Sequence, residues 1–190
     1  MAFLHLINHA KNERIGVRLP CLLLILVSKH IIHPNTSMKD NFEAYYTQMP
    51  ELISKLNSDL KPQFGTMDVL EMVEHLTIGL ELSMSYKEYF VKTPEEQIPA
   101  FQRWLMTDKP FRPGSPMPKN FGNFQAPDGQ NLEAAKKRFI EKLRLFIETV
   151  EEDDKFWSVH ESFGKLDAEQ TRQLHFKHIT HHLTQFGAIS

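Results

Sequence analysis

The sequence predicts an all-α fold, on three observations. Apolar residues recur at helical spacing in four stretches after Met38, capping residues stand at the heads of three of these, and no stretch reads as a convincing strand. Leu52, Ile53, Leu56 and Leu60 follow Pro50, a residue tolerated in a first helical turn, and mark the first helix. Asp68 and Glu71 form a D-x-x-E capping pair for the second, in which Val69, Val73, Leu76, Leu80 and Met84 make one stripe. Asn131 caps the third, with Leu132, Phe139, Leu143, Phe146 and Val150 on its apolar face and Ile140 and Ile147 widening it. Asp167 with Gln170 caps the fourth, which Gly187 ends.

A long Pro-rich connection separates helices two and three. Phe101 to Met106 can form a short helix, but Lys109 to Gln130 contains Pro110, Pro113, Pro116, Pro118 and Pro127, which excludes regular structure there. Phe111, Met117, Phe121 and Phe124 argue that this loop packs on the helices, either as a strap over one end of the core or as a substrate lid.

Residues 1–37 differ in character from the rest of the chain. Lys11, Arg14 and Arg18 precede the apolar run Leu19 to Val27, in the manner of a signal peptide, but no small-residue cleavage site comes after it. The run is also shorter than the roughly 20 apolar residues needed to span a bilayer. The segment is expected to be an N-terminal extension, disordered or a misassigned start, ahead of a domain at 38–190.

Composition narrows the function. The 190 residues carry 22 basic and 24 acidic side chains, a formal charge of −2, so no large basic field is available for nucleic acid. The single cysteine, Cys21, excludes a disulfide framework and a Cys-rich zinc site, and fits a cytoplasmic protein without a membrane partner. Any metal must be held by nitrogen and oxygen.

Histidine is the residue type that points to such a site. His178 and His182 are one helical turn apart, so both imidazoles can bind one ion, and Leu174, Ile179, Leu183 and Phe186 aim that side inward. A catalytic zinc usually takes three protein ligands, and the third must come from another helix. His75, at the edge of the second stripe beside Met72 and Gly79, is the best candidate. His175 and His181 are substitutes for the pair; His181 lies at the border of the inward face and reads better as a solvated or interface residue. His5, His9, His30, His33 and His160 show no ligand spacing.

Three segments carry a family resemblance: Phe64-Gly65-Thr66-Met67-Asp68-Val69-Leu70-Glu71-Met72-Val73-Glu74-His75-Leu76, then His160-Glu161-Ser162-Phe163-Gly164-Lys165-Leu166, then an H-x-x-H-H-x-x-Q-F-G motif from His178 to Gly187. In that order, from about 45 to 189, the chain resembles the DinB-like superfamily, and within it a bacterial subfamily of uncharacterised domains with that closing motif. The resemblance implies a four-helix bundle of DinB/YfiT type. Its metal-bearing members include YfiT-like hydrolases and bacillithiol- and mycothiol-dependent transferases. It also implies a divalent ion (Zn, Ni, Mn or Fe) on His75, His178 and His182, Gln185 near it as a supporting or substrate contact, and no metal role for His181. Homodimers are common in the superfamily.

An ion held by three imidazoles keeps open positions, where it can acidify water for a hydrolase or a low-molecular-weight thiol for an S-transferase. A non-catalytic metal- or small-molecule-binding bundle is the alternative. Glu71 and Glu74 flank His75, but Glu71 is committed to the cap and Glu74 should point elsewhere, which tilts the balance towards the thiol.

The boundary at Met38 is testable. A chain beginning there should melt cooperatively by circular dichroism and keep its metal; an insoluble or molten product, beside a well-folded full chain, would place the first 37 residues inside the domain.

Overall fold

The computed structural model describes residues 38–88, 90–114 and 131–189, with side chains from Tyr45 onward. The expectations for 1–37, and for Met117, Phe121 and Phe124 in the Pro-rich connection, lie outside the described residues.

The described chain is mostly helical, with one small antiparallel hairpin. Its elements run α1 (Met38–Ser54), α2 (Val69–Ser83), a 3-10 turn (Glu95–Gln97), α3 (Ile98–Leu105), α4 (Leu132–Glu152), β1 (Trp157–His160), β2 (Gly164–Asp167) and α5 (Ala168–Gln185). No helix among them is long and apolar enough to cross a membrane.

Three helix starts follow the capping logic. Asp68 accepts from the Glu71 backbone N–H and the Glu71 carboxylate accepts from Asp68 N–H, each at 2.8 Å. Asp167 and Gln170 repeat the same box at the head of α5. Asn131 Oδ1 accepts from Ala134 N–H at the head of α4. Each box satisfies amide groups that the first helical turn leaves without partners.

Helix α1 departs from the expected position. It begins at Met38 and ends at Ser54, so Pro50 lies inside it and Leu56 and Leu60 fall beyond its end. The stripe that buries α1 is Tyr45, Met49 and Ile53, at i, i+4 and i+8, while Pro50 is exposed and borders a surface groove with Ile53 and Ile140.

The hairpin corrects the purely helical expectation. Trp157 pairs with Asp167 and His160 with Gly164, each strand being four residues long, too short for alternation to stand out in sequence. Gly164 opens β2 at φ +67°, and a Cβ there would press against Ile98 at 3.0 Å, so the turn needs glycine on both counts.

Two apolar clusters organise the packing. The larger draws on α1, α2, α4 and α5, with Met49, Met72, Phe139, Phe146, Ile179 and Leu183 wholly buried. Fully burying one such side chain is worth about 1.5–3 kcal/mol. The smaller joins Leu105 of α3, Phe163 and Leu166 of the hairpin and Leu174 of α5, with Trp104 and Phe111 against it. Helices α2 and α4 are also tied by charge. Buried Glu74 pairs with Arg138, and Glu81 pairs with Lys142 at 3.0 Å. The hairpin is fastened to α5 by Ser158 Oγ to Thr171 Oγ1, 2.8 Å.

The two capping boxes yield a measurable cost. Asp68→Ala and Asp167→Ala should each lower the unfolding free energy by about 1 kcal/mol in urea titrations, without altering the folded-state spectrum.

Candidate metal centre

Helix α2 presents His75 on the side turned to α5, one residue along from the Glu74 that faces α4, and α5 presents His178 and His182 one turn apart. The three side chains meet. His75 Nε2 lies 2.8 Å from His178 Nε2, and His182 Nε2 lies 3.2 Å from the same atom. All three candidate donor atoms fall within 4.8 Å of one another. Nitrogens held about 2.0–2.1 Å from one ion in adjacent positions would be about 3 Å apart, so this convergence fits a shared cation.

The proton inventory fits as well. Gln185 Nε2 donates to Phe64 O at 2.6 Å, which turns Gln185 Oε1 towards His182 Nδ1, 2.7 Å away. His182 Nδ1 must therefore carry the ring proton, leaving a lone pair on Nε2 directed into the cluster. An amide that sets the tautomer of an imidazole in this way is a common support for a metal ligand. In a metal-free cluster, one proton on His178 Nε2 would have to serve two neighbouring nitrogens.

The backbone around Gln185 is fitted to this task. Gln63 N–H donates to Gln185 O at 2.8 Å. Gly65 adopts φ +77°, and a Cβ there would fall 2.7 Å from Gln185 Nε2. Gly79, one turn after His75, has the His178 ring beside it, where an added Cβ would lie at 3.8 Å, an ordinary contact.

Burial keeps these imidazoles neutral. It pushes His75 down to about 4, helped by His181, and His182 down to about 3, helped by His75; His178 lies well below the ordinary histidine value because of burial and its neighbours His75 and His182. Among the described residues no carboxylate joins the cluster. Glu71 is held in the cap and Glu74 by Arg138, as their positions in the sequence suggest.

The other histidines separate by role. His175 is buried, bonds Ser83 Oγ through Nε2 at 2.8 Å and packs on Phe146, and burial holds it down to about 3. It lies outside the cluster. His181 is half-buried between Phe64 and Phe111, at 5.1 and 6.2 Å between ring centres, and likewise stays out of the cluster.

The three histidines open onto a cavity of about 920 Å³, bounded on the far side by the hairpin and α3. Phe101, Trp104, Phe111 and Phe163 form its aromatic wall, and His160 and Glu161 stand at the hairpin turn. Ligand spacing gives no hint of His160, whose only sequence signal is the segment from His160 to Leu166 that carries part of the family resemblance; of the wall, the apolar content of the Pro-rich connection points to Phe111.

The family model described as protein of unknown function (DUF1569) matches residues 34–188, a span that includes every helix and strand of the described fold, and the chain belongs to that family. No curated protein and no solved structure matches the chain.

The depressed imidazoles set the acid response. They titrate near 6.5 when unfolded and, for His75, His160, His175 and His182, at about 3 to 4 when folded, so in that window the unfolded chain binds more protons. Stability should be full above about pH 6.5 and fall as the pH drops towards 4. Urea midpoints of the chain in chelator, taken across that range, should decline steadily; a flat profile would contradict the burial of neutral histidines.

Proposed function

We propose that this DUF1569 protein is a metal-dependent enzyme of DinB-like type, with a divalent ion held by His75, His178 and His182 and a small organic substrate in the adjoining cavity. The observation that carries this reading is the convergence of three imidazole nitrogens within 4.8 Å at the end of a cavity of about 920 Å³. Two features support kinship with DinB-like four-helix bundles: α1, α2, α4 and α5 share one apolar core, and the histidines come one from the second helix and two from the last. Imidazole donors suit zinc, nickel and iron, and selection among them follows availability as much as affinity.

An ion in this position would acidify a water or a thiol placed against it. The residues of the chain favour the thiol. Among the described residues lining the cavity the one carboxylate is Glu161, and it is paired with Lys92 at 2.6 Å, so no carboxylate stands ready to act as general base for water. Ionising a thiol depends less on such a base, which favours S-transfer from a low-molecular-weight thiol to an electrophile held against the aromatic wall. Hydrolysis is the second reading, supported by the same metal ligands. Gln185 orients His182 in either case, and the apolar wall limits water beside the reacting atoms.

Metal content measured by elemental analysis on untagged protein tests the ligand set. His75→Ala, His178→Ala and His182→Ala should each reduce metal affinity at least tenfold, Gln185→Ala about tenfold, and His181→Ala little. A screen of thiol conjugation against ester hydrolysis then separates the two reactions; equal loss of metal in His181→Ala would reject the ligand assignment.

A further inference from the structure

We propose that the cavity takes a flat, apolar organic molecule bearing an acceptor oxygen, and that His160 is the residue that recognises that oxygen. This rests on the reading of the three histidines as the reacting end of the cavity, and it names the class of substrate and a recognition residue that no spacing argument selects.

His160 is held rigidly. It ends β1 opposite Gly164, its carbonyl accepts from Phe163 N–H at 3.2 Å, and its ring lies tilted on Phe163 at 4.9 Å. Its Nδ1 accepts from the Ser162 backbone N–H at 3.1 Å. A neutral imidazole has one ring proton, and with Nδ1 accepting, that proton is on Nε2. Nε2 makes no hydrogen bond among the described residues, and His160 lines the cavity. The hairpin therefore offers a fixed, neutral N–H donor to whatever fills that space. Burial, with Lys92 nearby, holds the ring down to about 4, so it keeps this form at neutral pH. His160 lines the same cavity as His75, His178 and His182, which puts the donor and those histidines on one bound molecule.

The wall supplies the rest of the chemistry. Trp104 is stacked with Phe111 at 5.6 Å and lies parallel to Phe163 at 6.4 Å, and Phe101 adds a further ring. Such a surface suits a planar apolar body. The carboxylate of Glu161 is taken by Lys92, while His160 offers a donor, so an acceptor oxygen fits better than a cationic group. An aromatic carboxylate or aryl carbonyl compound has both features.

Calorimetric titration of the full chain, loaded with zinc, with 2-naphthoate as probe and acetate as control, tests this. Naphthoate should bind saturably and acetate at least tenfold more weakly. His160→Phe keeps a ring on Phe163 but removes the donor, and should weaken naphthoate about tenfold or more. His160→Gln carries an amide N–H near the place of Nε2 and should bind within about threefold of the unaltered chain. Zinc content should be unchanged in both. Naphthoate binding that is indifferent to His160→Phe, lost equally in His160→Gln, or matched by acetate would overturn the proposal. Imidazole NMR of the unaltered protein gives an independent answer should a variant not fold: the proton should sit on His160 Nε2 and its signal should move with naphthoate, and an unmoved signal counts against the assignment. If the unaltered chain takes up no zinc, the metal reading fails by itself. The same titration without zinc then still decides the role of His160, because its hydrogen bond does not require the ion.

Discussion

Burying three imidazoles with their Nε2 atoms turned towards one another costs free energy that a shared cation would offset, and much of this fold is arranged around that cluster. Helices α2 and α5 have to lie side by side at the level of His75 and His178. Gly65 leaves room for the amide of Gln185. Gln185 in turn needs the carbonyl of Phe64 in place before its own oxygen can face His182. The chain from 63 to 65 is thus as much a part of the centre as the histidines, although it contributes no ligand atom.

Most of the centre is legible in the sequence, because it is written in helical periodicity. His178 and His182 share a face by spacing alone, and His75 is singled out by its place at the edge of an apolar stripe with a glycine one turn away. The starts of α2, α4 and α5 are legible for a local reason too, since a capping box at α2 and α5 and the Asn131 cap at α4 each lie within four residues. What escapes is set by longer-range contacts. The strands of the hairpin are four residues long and owe their form to pairing with each other and packing on α3 and α5, so no periodic signal marks them. His160 escapes for the same reason: its importance comes from a turn that faces the histidines across a cavity. Helix α1 is misplaced in sequence because Leu52, Leu56 and Leu60 mimic a helical stripe, whereas Tyr45, Met49 and Ile53 provide the buried one.

The two apolar clusters divide the labour. The larger one, dominated by α2 and α4 with Phe139 and Phe146 at its heart, has no part in the cavity wall and can be as tightly packed as stability demands. The smaller one, of α3, the hairpin and the middle of α5, forms the aromatic side of the cavity. Substitutions among Phe101, Trp104 and Phe111 can therefore reshape the cavity without touching the core that positions His75, His178 and His182.

His75 and His178 are separated by 103 residues along the chain, and that separation has a kinetic meaning. During synthesis the first imidazole leaves the ribosome long before the other two, and closing so long a loop is slow and entropically costly until α2 and α5 are already docked. An emerging chain can offer an ion only a helical pair or a lone ring, both weak chelators. On the metal reading proposed above, strong capture of an ion would wait for the native topology, and a wrongly folded chain would lack the set of three converging imidazoles.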